Sequence, residues 1–79
     1  MAEEYVLLFH TTPGVLQTRK AMQSAGITFR VQDIPRQLKG GCGLCIRFYS
    51  EAEAVKQWMM PHVTEAIYRC DGDEFTRVG

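Results

Sequence analysis

No stretch of this sequence is long and apolar enough to cross a membrane as a helix. The longest early apolar run is Tyr5-Val6-Leu7-Leu8-Phe9, against the roughly 20 residues a helical span needs. The acidic start Met1-Ala2-Glu3-Glu4 is followed by no apolar segment of signal-peptide length, so the expected setting is the cytoplasm. Net charge is also missing: nine Lys and Arg balance nine Asp and Glu, and no global field draws the chain to nucleic acid or anionic lipid. The three cysteines are an odd number, which does not imply a fully paired disulfide framework; in a reducing compartment they begin as thiols. The glycines lack the Lys-Ser/Thr of a phosphate-binding loop, and no carboxylate pair stands out for hydrolysis. At 79 residues the chain is one domain, 1–79, with a core that only narrowly suffices, too small for an ordinary catalytic cleft or an enclosed large cofactor. No cofactor and no resident metal are expected. What remains is a carrier, a binding module, a regulatory piece or a subunit, more an accessory protein than an independent enzyme.

What is present reads as alternating strands and helices. Tyr5 to Phe9 is apolar on both faces, as a buried strand is. Thr12 can cap a helix that opens at Pro13 and runs to about Ala25, with Val15, Thr18, Met22 and Ala25 inward and Gly26 at the left-handed C-terminal position. Ile27 to Ile34 alternates, with Phe29 and Val31 opposite Arg30 and Gln32. Pro35 to Gly43 is a loop. A third strand, about Leu44 to Tyr49, puts Leu44, Ile46 and Phe48 on one face and Cys45, Arg47 and Tyr49 on the other. Ser50-Glu51-Ala52-Glu53 has the spacing of a capping box for a second helix that runs to about Met60, with Ala52, Val55 and Met59 inward, and Pro61 stops it. A strand over Glu65 to Cys70 and the turn Asp71-Gly72 follow. Residues 71–79 are a tail or one more edge strand.

This order predicts an α+β fold: a two-layer ferredoxin-like βαββαβ sandwich with an antiparallel four-stranded sheet. Helices cover one face. The other, with Arg30, Gln32, Cys45, Arg47, Tyr49, Tyr68 and Cys70, is left without cover and invites a partner, a homodimer foremost; a mixed, solvated sheet face is the plainer reading. Connectivity places His10 to Pro13, Pro35 to Cys42, and Pro61-His62 at one pole.

Gly40-Gly41-Cys42-Gly43-Leu44-Cys45 is the most informative stretch. Cys42 lies between glycines at the mouth of a strand, where missing side chains leave room for a partner and backbone N–H groups can steady negative charge. The first helix turns its positive end toward the same pole. Arg36 and Lys39 belong to a basic middle (Arg19, Lys20, Arg30, Arg36, Lys39, Arg47) interrupted only by Asp33. A nucleophilic Cys42 is one reading; a small residue in a glycine-rich turn is the other. Cys42 and Cys45 form C-x-x-C, yet residues three apart in a regular strand point to opposite faces. Thiol–disulfide exchange therefore needs a bulge or a later strand start. Both thiols with His10 and His62 would make a tetrahedral zinc set if all four converged. Otherwise His10 and His62 are candidate bases for Cys42 or surface loop residues. Trp58 reads as helix packing, and Cys70 as an ordinary strand residue.

Several of these segments together resemble one family. They are the apolar strand ending in Phe9, Thr11-Thr12 at the helix start, Ala25-Gly26-Ile27-Thr28-Phe29, Pro35-Arg36, Cys42-Gly43-Leu44 and Ala66-Ile67-Tyr68-Arg69. The chain thereby resembles, over nearly its whole length, a family of small bacterial and archaeal selenium or sulfur carrier-like proteins. The resemblance implies that Cys42 is the carrier residue; Cys45 is a departure, since that position is more often small and without a thiol. On this reading Cys42 takes terminal sulfur or selenium from a donor protein, as a persulfide or selenosulfide, and hands it to an acceptor protein. Arg36, Lys39, Thr12 and Gly43 are the expected adduct-stabilising residues, and Cys42 and Cys45 the reactive pair. Two other classes stay open: a non-catalytic dimeric protein- or ligand-binding module, and a small thiol-redox or metal-binding domain using Cys42 and Cys45. A single-strand nucleic-acid face built on Arg30, Arg47, Tyr49 and Tyr68 is a further idea, against which the neutral charge argues.

Overall fold

The computed structural model describes residues 2–79. The elements run β1 (Glu3–Phe9), α1 (Thr12–Ser24), β2 (Phe29–Asp33), β3 (Leu44–Ser50), α2 (Ala52–Val55, continued as a 3-10 turn over Lys56–Trp58), β4 (Thr64–Asp71) and β5 (Glu74–Arg77). One antiparallel sheet is formed in the order β2-β3-β1-β4-β5. The fold is an α+β sandwich, broadly ferredoxin-like. The expected four strands are corrected to five: the Asp71-Gly72 turn is a true hairpin, and residues 74–77 return along β4 as an edge strand.

The apolar run Tyr5 to Phe9 sits at the centre of the sheet and is fully enclosed. Alternate residues serve two cores. Tyr5, Leu7 and Phe9 pack with Val15 and Met22 of α1, Ile46 and Phe48 of β3, Val55, Trp58 and Ile67. Val6, Leu8 and Cys45 form a second cluster on the opposite face. The face assignment along β3 follows the expected alternation.

Helix α1 starts one residue early: Thr11 is the cap residue, without a side-chain capping bond, and Thr12 is already helical. Its end is a Schellman closure, in which Gly26 at φ 74 lets its own N–H reach the Gln23 carbonyl and the Ile27 N–H reach that of Met22 at 3.0 Å. Gly14, Val15, Thr18 and Met22 are its buried residues; Ala25 is exposed.

The second helix is much shorter than its pattern suggests. Ser50 is still in β3, paired with Glu3, and its hydroxyl bonds the Glu51 carbonyl, so the capping box does not form. One α turn tightens into a 3-10 turn at Lys56, which drives Trp58 rather than Ala52 or Met59 into the core. β2 is trimmed to 29–33, and β4 begins at Thr64.

The sheet face away from the helices is not bare. The loop over residues 34–43 crosses it, anchored by Leu38 over Val6, Leu8 and Cys45, while Ile34, Tyr68, Cys70 and Phe75 pack at the margin. Leu38 is 9% exposed despite its polar surroundings in sequence. Arg47, expected on that open face, is half-buried and spent internally: it pairs with Glu4 at 3.4 Å and lies 5.8 Å from the Phe75 ring centroid. Arg30 and Tyr49 remain exposed there, so part of the face stays open to a partner. Among the described residues no helix is long and apolar enough to cross a membrane.

Candidate functional site

The pole at the end of β1 gathers three segments, as connectivity requires. The His10 N–H donates to the Val63 carbonyl at 3.2 Å, which ties the exit of β1 to the turn before β4. Gly14, in the first turn of α1, lies against the same Val63; a Cβ there would meet Val63 Cγ1 at 3.3 Å. The glycine loop closes the third side. Gly41 backs onto the Phe9 carbonyl, where a Cβ would come to 3.1 Å, and its φ of +69 also favours glycine.

Cys42 emerges from this packed backbone half-buried, its side chain against the helix-side core. Among the described residues its thiol makes one long contact, to the Leu44 carbonyl at 4.0 Å. Gly43 follows at φ +91, and its carbonyl accepts from the Ile34 N–H at 2.9 Å, so the two ends of the loop are stapled beside the thiol.

Cys45 goes the other way. It is fully buried beneath the loop in the far-side cluster, its thiol donating to the Asp33 carbonyl at 3.5 Å. Burial pushes the Cys45 thiol up to about 11, with Arg47 pulling in the opposite sense. Cys70 is half-buried on β4, and burial raises it too. All three cysteines are free. Cys42, in the turn before β3, and Cys45, within β3, thus pack into different cores on opposite faces of the sheet.

The remaining expected residues divide. Thr12 is exposed in the first turn of α1, at the pole. Arg36 and Lys39 are exposed on the loop leading to Cys42, and their side chains enter no hydrogen bond or salt bridge among the described residues. His62 occupies an exposed left-handed position at φ 65. His10 is exposed, with Nδ1 3.6 Å from Glu65 Oε1. The four-ligand zinc arrangement does not assemble: among the described residues no group of three or more His, Cys, Asp or Glu could hold a metal ion.

Glu65 is the residue that sequence reasoning missed. It stands where the β1–β4 register slips between Leu8 and Phe9, and its carboxylate lies against Gly40 as well as His10. The only hint in the sequence is topological: the start of β4 must lie beside the end of β1.

Comparison with known proteins bears directly on this pole. A family model described as "Putative Se/S carrier protein-like" matches residues 4–68, which takes in β1, the glycine loop with Cys42, and Glu65. The chain is 56% identical over 71 residues to the uncharacterized protein YtiA of Escherichia coli (strain K12), an alignment spanning 90% of this chain and 82% of that protein. No solved structure gives a significant match.

Proposed function

This chain belongs to the Se/S carrier-like family, and from that premise we propose that it carries sulfur or selenium covalently on Cys42, in the cytoplasm, between a donor and an acceptor protein. The observation that carries the proposal is the contrast among three thiols. Cys42 alone sits on a glycine-flanked loop, next to the Gly41 that packs on the end of β1, while Cys45 is sealed beneath that loop and Cys70 lies within a strand.

The chemistry needs no cofactor. The Cys42 thiolate attacks the outer sulfur of a donor persulfide; the new S–S bond forms as the donor thiolate leaves. An acceptor thiolate then attacks the outer atom of the Cys42 adduct, and the Cys42 thiolate leaves. Arg36 and Lys39 bring positive charge to the loop, and the backbone at Thr12 and Gly43 offers N–H groups to the anionic adduct. His10, oriented by Glu65, and His62 are the candidate proton acceptors at the pole.

Incubation with a persulfide donor, followed by intact mass measurement, tests the reading. Wild type, C45S and C70S should each gain the mass of one sulfur atom, removable by dithiothreitol, and C42S should not. Undiminished loading of C42S overturns it.

A further inference from the structure

The outer edge of β2 is unpaired, since β2 ends the sheet, and its guard against edge-to-edge pairing rests on the charges of Arg30 and Asp33. Residues Phe29–Asp33 contain no proline and no lysine, and their register with β3 is continuous, without a bulge. The opposite edge, β5, is only four residues long.

The helix-side flank of β2 is also apolar and open. Val31 is 40% exposed and Leu16, on the neighbouring face of α1, is 54% exposed. Between helix and strand runs a groove lined by Arg19, Gln23, Ile27, Thr28, Phe29 and Val31. Arg19 has no acidic partner among the described residues, and neither Arg19 nor the exposed Asp33 enters a salt bridge there.

We propose that β2 pairs with β2 of a second copy of this chain, antiparallel about a two-fold axis at Val31, so that the two sheets become one. In an antiparallel pair, opposed residues share a face. Centring on Val31 sets Val31 against the second copy's Val31 and Phe29 against its Asp33 on the helix side; Arg30 faces its Gln32 on the other side. The second copy's Asp33 then enters the groove where Arg19 lines the wall beside Phe29, twice by symmetry. Sliding the register two residues one way sets Arg30 against Arg30; sliding it the other way sets apolar Val31 against Asp33. The Val31-centred register avoids like-charge contact, pairs Val31 with Val31, and sets each Asp33 beside Phe29, where Arg19 lines the groove. This interface uses the strand edge and not the sheet face, and it is independent of any chemistry at Cys42. A contact this short belongs to the small, weak class of interfaces, so it forms at high protein concentration.

Sedimentation velocity over a concentration series, with reductant to prevent disulfide cross-linking, tests it. Wild type should shift from monomer to dimer as concentration rises. R19D and D33R should each weaken dimerisation about tenfold by setting like charges together, and the R19D/D33R double variant should recover it. V31K, at an exposed position, should abolish it. A wild type that stays monomeric throughout overturns the proposal and leaves the edge to an extended segment of another protein. Dimerisation insensitive to V31K and to both single reversals overturns it as well, placing the contact on another surface.

Discussion

Gly40 and Glu65 occupy the same small space. A Cβ on Gly40 would lie 2.5 Å from Glu65 Oε2, and Gly40 itself is held at φ +100. The loop that delivers Cys42 therefore owes its path to a missing side chain and to the carboxylate that fills the gap.

Replacing Gly40 with alanine should cost about 1–3 kcal/mol, chiefly from the left-handed backbone. Urea melts of Gly40→Ala and Gly40→Ala/Glu65→Ala measure it. The double variant should recover only the steric part, because the backbone strain persists.

The three thiols should alkylate in a fixed order. With iodoacetamide at neutral pH, peptide mass spectrometry should find Cys42 modified before Cys70, and Cys45 only once the chain opens, since Cys45 is fully buried and pushed to about 11. Rapid early modification of Cys45 in the folded protein would contradict the buried placement.

Leu38 is the latch of the loop over Cys45. Leu38→Ala should lose about 2–3 kcal/mol of stability and raise the alkylation rate of Cys45 more than that of Cys42. A loss of stability without that selective exposure would mean that Leu38 packs but does not seal.

Alkaline pH should weaken the fold through the same cysteine. The folded Cys45 thiol holds its proton up to about pH 11, against a reference value of 9.0. The unfolded chain therefore releases that proton first. The associated stability is fully present below about pH 9 and is lost as pH rises through 11. Cys70 and Tyr5, also raised by burial, act in the same direction. Denaturation between pH 8 and 11 should show a shallower decline for Cys45→Ala than for wild type.

Much of this arrangement was legible beforehand because it follows from period and connectivity. The alternation through Leu44 to Tyr49 assigned both faces of β3, Gly26 marked the helix end, and strand order placed His10, the glycine loop and Pro61-His62 at one pole. Three features were not legible, each for a physical reason. A lone apolar residue in a polar loop has no period, so nothing marked Leu38 as a cover for the second face. Ser50-Glu51-Ala52-Glu53 carries a true capping pattern, but Ser50 was already held in the sheet opposite Glu3, and tertiary pairing prevailed over local preference. Glu65 reached Gly40 through a register slip, and no sequence pattern announces one.

The placement of Cys42 and Cys45 in separate cores has a bearing on storage. A neighbouring thiol is usually the quickest route by which a persulfide is lost: it attacks the inner sulfur, sulfide escapes, and a disulfide is left behind. Here Cys42 packs against the helix-side core while Cys45 is buried in the far-side cluster. On the proposed carrier reading, the buried, proton-holding Cys45 thiol is poorly placed to attack a Cys42 adduct, and discharge would wait for a thiol that arrives from outside.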